Sequence, residues 1–371
     1  MLRFTQILLI ILTTLSVYGQ EVLFDDPHHS DGAVYINSVD GEETVVNSFG
    51  QPIPAHDVFR ESPEDIETNG WGKTITSPKD IYRSGNVVFN ITYLDIVNGT
   101  GVGFDDPQLG QQRRTVLEAA FEYYASLMED QGTADIEIRE SFSASPAANP
   151  FAFSAAYYFG SKGFNEPFTK AHITTGSDPY GPYPDGYMQF NFHSDLKYNY
   201  NVLGEPSNQQ YDFYTIVLHE ALHLLGFTSY AEENGQSAAS EDVYTSFDEL
   251  LLDYNKDPIF ETSGSGSSTA VSNPSDGVLT NNQVWFELYE GQHAPVFSPT
   301  PFNGSSLDHF DNGRSDHAEY LMHPTLTNGE SFKLLHEDEV RVLEQLGYQV
   351  NYSIATSIDE YENQIVSDNQ F

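Results

Sequence analysis

The sequence predicts an α/β chain of the α+β kind, with one large domain that has a mixed sheet and helices, followed by a loop-rich half. Three observations lead to this prediction. Segments in which apolar and polar residues alternate, as in strands, occur between residues 86 and 194. Three other segments have apolar residues at helical spacing. Beyond residue 230 the pattern becomes irregular, and SGSGSSTAVSNPSDG at 263–277 has the composition of a flexible loop.

The predicted elements of the first half begin with a strand and a helix. NVVFNITYLDI at 86–96 alternates and is rich in β-branched and aromatic residues, so it predicts a strand. QQRRTVLEAAFEYYASLMED at 111–130 predicts a helix, because Val116, Tyr123 and Leu127 fall on one face. ADIEIRESF and FAFSAAYYF predict two further strands. These elements are sufficient for a small mixed sheet covered by a helix.

The next elements are a strand and two helices. GYMQFNFHS at 186–194 alternates cleanly, which predicts a strand with one solvent-exposed face. NQQYDFYTIVLHEALHLLGF at 208–227 and LLHEDEVRVLEQLGYQV at 334–350 predict helices. A glycine, Gly226 or Gly347, follows the apolar stripe in each and is a typical stop signal.

The chain divides into four predicted regions. Residues 1–19 are predicted to be a signal peptide, since Arg3 precedes an apolar run too short to span a bilayer and small residues follow it. Residues 20–85 are predicted to be an N-terminal extension or a propeptide, residues 86–350 the main domain, and residues 351–371 a polar tail. We therefore expect a secreted, extracellular protein without a membrane span.

Composition excludes several classes of function. The formal net charge of the 371 residues is −40, which would repel nucleic acid and anionic membranes. Some of the 55 acidic residues are candidates for structural Ca²⁺. The chain has no cysteine, so disulfides and a cysteine nucleophile, zinc ligand or latency switch are excluded. We expect a monomer.

One segment carries the residues that bind catalytic zinc in many hydrolases. HEALHLLGFTS at 219–229 has two histidines four residues apart in a predicted helix, so both imidazoles point the same way. His219 and His223 are predicted to bind Zn²⁺, and Glu220 to act as the general base on a zinc-activated water. Catalytic zinc takes three protein ligands, so one more is required.

The residues around this motif resemble a known family. HEALHLLGF resembles the metzincin motif HExxHxxGxx(H/D), but Ser229 stands at the position of the last ligand, and a neutral hydroxyl is a poor zinc ligand. Leishmanolysin-like metzincins also lack a histidine there and take one from far downstream, shortly before a methionine turn. GSSLDHFDNGRSDHAEYLMHPTL at 304–326 is similar to that arrangement. The resemblance covers residues 86–350 and implies a metzincin-like catalytic domain, with a mixed twisted sheet, an active-site helix and a loop-rich C-terminal subdomain.

The resemblance also implies a third zinc ligand. His309 precedes Met322 by thirteen residues, similar to the spacing in the family, and Leu321-Met322-His323-Pro324 resembles the Met-turn that supports the metal site from below. His317 is the alternative, although it precedes Met322 by only five residues and leaves little chain to swing out and back. The sequence therefore predicts His309 as the third ligand, with His317 as the alternative.

The predicted function is that of a secreted zinc metalloendopeptidase acting on protein or peptide substrates. The predicted strand at 186–194 is a candidate for the sheet edge along which such an enzyme aligns its substrate. Two alternatives remain. In a gluzincin-type zinc hydrolase, a glutamate such as Glu241 or Glu249 would be the third ligand. A secreted binding module would keep zinc only for folding.

Overall fold

The structure is a computed structural model. It describes four short strands before residue 77 and, after residue 86, the ranges 87–146, 151–179, 181, 183–239, 242–263, 270–271, 274, 277–314 and 319–355. The predicted signal peptide, the end of the predicted tail, Glu241 and His317 lie outside the described residues.

The chain has a mixed α/β architecture with several sheets, which confirms the predicted combination of strands and helices at this level. In chain order the helices are α1 (Leu94–Asn98), α2 (Gly110–Leu127), α3 (Phe168–Thr175), α4 (Phe213–Leu224), α5 (Glu337–Gln345) and α6 (Tyr352–Ala355). In chain order the strands are β1 (Val22–Leu23), β2 (Val34–Val39), β3 (Glu42–Asn47), β4 (Gly72–Thr76), β5 (Val88–Tyr93), β6 (Thr133–Ile138), β7 (Ala152–Ala156), β8 (Tyr158–Phe159), β9 (Gly163–Asn165), β10 (Gly186–Phe190), β11 (Tyr198–Asn199), β12 (Tyr211–Asp212), β13 (Val243–Thr245), β14 (Leu251–Leu252), β15 (Thr262–Ser263), β16 (Ala270–Val271), β17 (Trp285–Tyr289), β18 (Gln292–Pro295) and β19 (Thr325–Leu326).

The largest described sheet has five strands in the order β4-β5-β6-β10-β7. The pairs β5-β6 and β6-β10 are parallel, whereas β4-β5 and β10-β7 are antiparallel, so the sheet is mixed as predicted. Strand β4 belongs to the segment that was predicted as an N-terminal extension, yet it forms one side of this sheet. The smaller sheets have two or three strands each and include β14-β17-β18 in the loop-rich half.

Helices α2 and α4 pack together and bury the central part of the molecule. Every residue of α4 is buried, and Tyr124 of α2 donates a hydrogen bond of 2.7 Å to the carbonyl of Leu218 in α4. Strand β10 approaches the same helix at Gly186, where an added Cβ would lie only 2.7 Å from Leu224 Cδ2. The same Cβ would lie 2.7 Å from the backbone oxygen of Ala155 in β7, so there is no room for a side chain at Gly186 between β7 and α4.

Residues 186–194 contain the predicted strand, β10, but the strand is not the sheet edge that it was a candidate for. Strand β10 lies inside the sheet between β6 and β7. Its Tyr187 and Met188, which point to opposite faces, are both fully buried. Arg139 covers the Tyr187 ring at 3.4 Å and supplies a polar neighbour on the side that the sequence pattern suggested was wet. Among the described strands the neighbour β7 ends the sheet on this side.

Among the described residues, no helix combines the length and the apolar character needed to cross a membrane.

Candidate metal centre

Helix α4 carries the first half of the site, and its ends are fixed by local interactions. Asp212 caps its N-terminus, accepting hydrogen bonds from the amide (3.2 Å) and the hydroxyl (2.8 Å) of Thr215. The helix ends before Gly226, whose φ of 104° is strained for any residue with a side chain. Between these ends, His219 and His223 lie on successive turns of one face.

The structure brings a third histidine to this pair. The Nε2 atom of His219 lies 3.2 Å from Nε2 of His223 and 3.2 Å from Nε2 of His309. The ligand atoms of the three side chains all lie within 4.8 Å of one another, and all three residues are buried. Nitrogen atoms that share one tetrahedral zinc at 2.0–2.1 Å stand about 3.3 Å apart. The spacing therefore fits a single metal ion.

The other nitrogen of each imidazole bonds to a backbone carbonyl. His219 Nδ1 lies 2.9 Å from the oxygen of Leu321, and His223 Nδ1 lies 2.6 Å from that of Phe227. His309 Nδ1 lies 3.0 Å from the oxygen of Ser305. Because a carbonyl only accepts, each Nδ1 carries the proton and each Nε2 presents its lone pair to the cluster. These carbonyls fix the ring orientations that a metal site requires.

Burial keeps the three imidazoles neutral. Loss of solvent, and to a smaller extent the charge of neighbouring imidazoles, lowers the pKa of His219 and of His309 well below the usual value. Burial lowers the pKa of His223 to about 4. Three lone pairs directed at one point repel one another, and a cation at that point removes the repulsion. Three imidazoles are a donor set that suits zinc.

Glu220 lies beside the histidines and touches the edge of the sheet. Its side chain is almost fully buried, and Ser154 Oγ donates a 2.7 Å hydrogen bond to its Oε2. The same hydroxyl lies 2.8 Å from the backbone oxygen of Glu220. Ser154 belongs to β7, so this contact ties helix α4 to the last described strand of the sheet. No feature of the sequence pointed to Ser154.

Met322 lies in a buried turn that is fastened from the final long helix. Its amide donates a 2.7 Å hydrogen bond to Glu339 Oε1, while Glu339 Oε2 accepts from the amide of His336 at 2.8 Å. Burial raises the pKa of Glu339 to about 8 despite these backbone donors. The residue before Met322 is Leu321, whose carbonyl orients His219. The turn therefore helps to position a candidate metal ligand.

Ser229 does not join the histidine cluster but supports it from outside. Its amide donates a short hydrogen bond to Asp308 Oδ1, and its hydroxyl donates to Asp248 Oδ1 at 2.5 Å. Both carboxyl groups are buried, and burial raises the pKa of Asp308 and raises that of Asp248 to about 6. Asp308 directly precedes His309. Ser229, which lies just after the end of the helix at Gly226, thus fixes the segment that supplies the third histidine.

This contact predicts a role for Asp308 in metal binding. Replacing Asp308 with alanine leaves the buried amide of Ser229 without its acceptor, which costs about 1–3 kcal/mol of unfolding free energy. The segment before His309 loosens, so we expect the zinc affinity to fall by about 10- to 100-fold, as for other residues that orient metal ligands. Competition with a zinc-binding dye measures the affinity.

Asp308→Asn is the matched control for that measurement. Its amide oxygen still accepts from Ser229, and a neutral amide resembles the protonated carboxyl that burial favours. We expect this variant to bind zinc nearly as tightly as the parent. Equal affinity of the parent and Asp308→Ala would show that Asp308 does not position His309.

The remaining predicted site residues lie elsewhere. Glu249, the ligand proposed for a gluzincin-type site, is exposed in the 3-10 turn Asp248–Leu250 and is not part of the histidine group. His323 is half-buried, and its Nδ1 lies 3.0 Å from Thr325 Oγ1.

Comparison with known proteins found no relative for this chain. No protein-family model matches it, and no curated protein and no solved structure matches it. The function must therefore be argued from the site itself.

Proposed function

We propose that the protein is a secreted zinc-dependent endopeptidase of the leishmanolysin-like metzincin type. One observation carries the proposal: His309 contributes its Nε2 to the pair His219 and His223, which bracket Glu220 on one helix. Three neutral imidazoles with a glutamate next to them are the residues that a catalytic zinc site needs. The position that lacks a ligand, Ser229, is compensated by a histidine eighty residues further along the chain.

The chain supplies the acid–base chemistry of peptide hydrolysis. When bound, zinc supplies a Lewis acid that polarises a carbonyl and makes a water more acidic. The Glu220 carboxylate takes the proton of the attacking water and later delivers it to the leaving amine. Ser154 orients this carboxylate by donating to Oε2. The Leu321, Phe227 and Ser305 carbonyls hold the imidazoles in register during these steps.

The position of β7 supports an extended peptide as the substrate. Among the described strands, β7 pairs with β10 alone, so its other edge carries backbone groups that a further strand can use. An extended peptide that adds to this edge gains main-chain hydrogen bonds without a required side chain. Ser154 lies in β7 and contacts Glu220, so a peptide bound there passes close to the general base. This strand replaces 186–194 as the candidate for substrate alignment.

The alternatives have less support. A gluzincin-type site needs a glutamate ligand, but Glu249 is exposed outside the group, while His309 already completes it. A module that keeps zinc only for folding has no use for a buried glutamate beside the metal ligands, and burying a carboxylate is costly. Glu220 therefore favours the enzyme.

Removal of metal tests the proposed activity. We expect the mature protein to hydrolyse a denatured protein substrate, and a chelator to lower the rate by about 1,000-fold or more, because the Lewis acid contributes several kcal/mol to the barrier. Added Zn²⁺ should restore the rate. Circular dichroism before and after chelation controls for unfolding. Full hydrolysis by a metal-free, folded chain would refute a zinc enzyme.

A further inference from the structure

A second group of side chains with metal-binding atoms lies away from the histidine cluster. Asp135 belongs to strand β6, His172 to helix α3, and Asp178 to the loop that follows α3. A ligand atom from each of the three lies within 4.8 Å of the other two. His172 is buried, Asp135 is half-buried and Asp178 is exposed, so the group lies where the protein interior meets solvent.

A fourth residue orients the imidazole of this group. Asp185 Oδ2 lies 2.8 Å from His172 Nδ1 and also accepts a 2.8 Å hydrogen bond from the amide of Asp135. A carboxylate on one ring nitrogen of a histidine is the usual arrangement behind a metal-binding imidazole. It assigns Nδ1 to Asp185 and leaves Nε2 as the nitrogen for a metal ion.

The charge around the imidazole favours a cation. The charged groups that act most strongly on His172 are the carboxylates of Asp185, Asp135 and Asp178. Against these three negative charges even a protonated His172 provides only one positive charge. In addition, Asp185 Oδ1 is buried and has no hydrogen-bond partner among the described residues.

We propose that Asp135, His172 and Asp178 form a second site for a divalent transition-metal ion, with Asp185 as the residue that orients His172. One imidazole with two carboxylates suits Zn²⁺ or Mn²⁺, whereas Ca²⁺ and Mg²⁺ take oxygen ligands. The site is separate in sequence and in its side chains from the histidine cluster.

The position of the site gives it a structural role. Thr169, one turn before His172 in α3, donates a 2.5 Å hydrogen bond to the carbonyl of Leu224 at the end of α4. Asp135 is fixed in turn by the side-chain amide of Asn90 in β5, at 2.6 Å. A metal bound here ties helix α3 and the loop after it to the sheet. It thereby stabilises the hydrogen bond between Thr169 and Leu224, which fixes the end of α4, the helix that carries His219 and His223.

The number of zinc ions bound per chain, measured in four versions of the full mature chain, tests the second site. The versions are the parent, Asp178→Asn, His309→Ala and the double variant, each equilibrated with micromolar free Zn²⁺. Asp178 is exposed, so its replacement by the isosteric asparagine leaves the fold intact. We expect two zinc ions per chain in the parent, one in Asp178→Asn, one in His309→Ala and none in the double variant. The dissociation constant of the second site should rise 10-fold or more in Asp178→Asn. Asp195→Asn, which changes an exposed aspartate beside His193, is the control and should keep both equivalents.

The outcomes separate this proposal from the proposed function. A parent with one equivalent that Asp178→Asn retains and His309→Ala loses would overturn the second site and leave the histidine site standing. One equivalent that Asp178→Asn loses and His309→Ala retains would support the second site and contradict the first. Thermal unfolding gives an independent readout: Zn²⁺ should raise the melting temperature of His309→Ala but not that of the double variant. Equal shifts in both would also overturn the second site.

Discussion

Replacing His309 with alanine is expected to abolish zinc binding at the proposed site of His219, His223 and His309. The loss follows from the geometry, since the Nε2 atoms of His219 and His309 stand 3.2 Å apart and two imidazoles on one helix face cannot enclose a tetrahedral ion. Residues that merely orient ligands change the affinity by about 10- to 100-fold, so loss of a ligand itself should cost more than about 100-fold. Bound zinc per chain, measured after dialysis against a weak chelator, gives the result.

His317→Ala and His293→Ala are the controls for this experiment. His317 is the ligand that sequence spacing left as the alternative, and it lies outside the described residues. His293 is half-buried in β18, on a different sheet from the one that α4 covers. Both variants should keep the zinc of the parent. If His317→Ala loses zinc while His309→Ala keeps it, the cluster of His219, His223 and His309 is not the metal site.

The second large effect is expected for Glu220→Gln. Glutamine has nearly the same shape and still offers an oxygen to Ser154, but it cannot take a proton from water. General base catalysis contributes about 10²- to 10⁴-fold, so hydrolysis of a denatured protein should fall by that factor. Because no Nε2 atom changes, we expect zinc content and melting temperature to stay close to those of the parent. Loss of activity with metal retained separates chemistry from folding.

Glu249→Gln is a matched control, since it makes the same chemical change at an exposed glutamate outside the site. It should hydrolyse the substrate at the rate of the parent. Equal rates for the parent and Glu220→Gln would remove the general base from the mechanism. That result would favour a secreted module in which zinc serves only to stabilise the fold.

The fold was predictable where the information is local. The helical spacing of residues 111–130 and 208–227 predicted α2 and α4, although α2 ends at Leu127 and α4 covers only the 12 residues Phe213–Leu224. The alternation of residues 186–194 predicted a strand but not its place. Alternation indicates two different faces, yet Tyr187 and Arg139 cover the face that was expected to be wet. Whether a strand is internal depends on its neighbours, and its own sequence carries little of that information.

The supporting residues of the candidate site were the hardest to anticipate. Ser154 reaches Glu220 from a strand 66 positions away in the chain, and Glu339 clamps Met322 from 17 positions away. No regular spacing of residues in the sequence indicates either contact. Asp308 had a weak one, since it adjoins His309, but its partner Ser229 is 79 positions away.

The sequence by itself determined the helix on which His219, Glu220 and His223 are presented, because a repeat of 3.6 residues aligns positions four apart wherever the chain goes. It also determined that Ser229 is no zinc ligand, because a neutral hydroxyl binds the metal poorly. Only the tertiary structure decided that His309 meets the pair, across 90 positions of chain. Ser229 holds Asp308, and the carbonyl of Leu321 in the Met322 turn contacts the imidazole of His219. Such contacts come from the packing of distant segments, which no local period encodes.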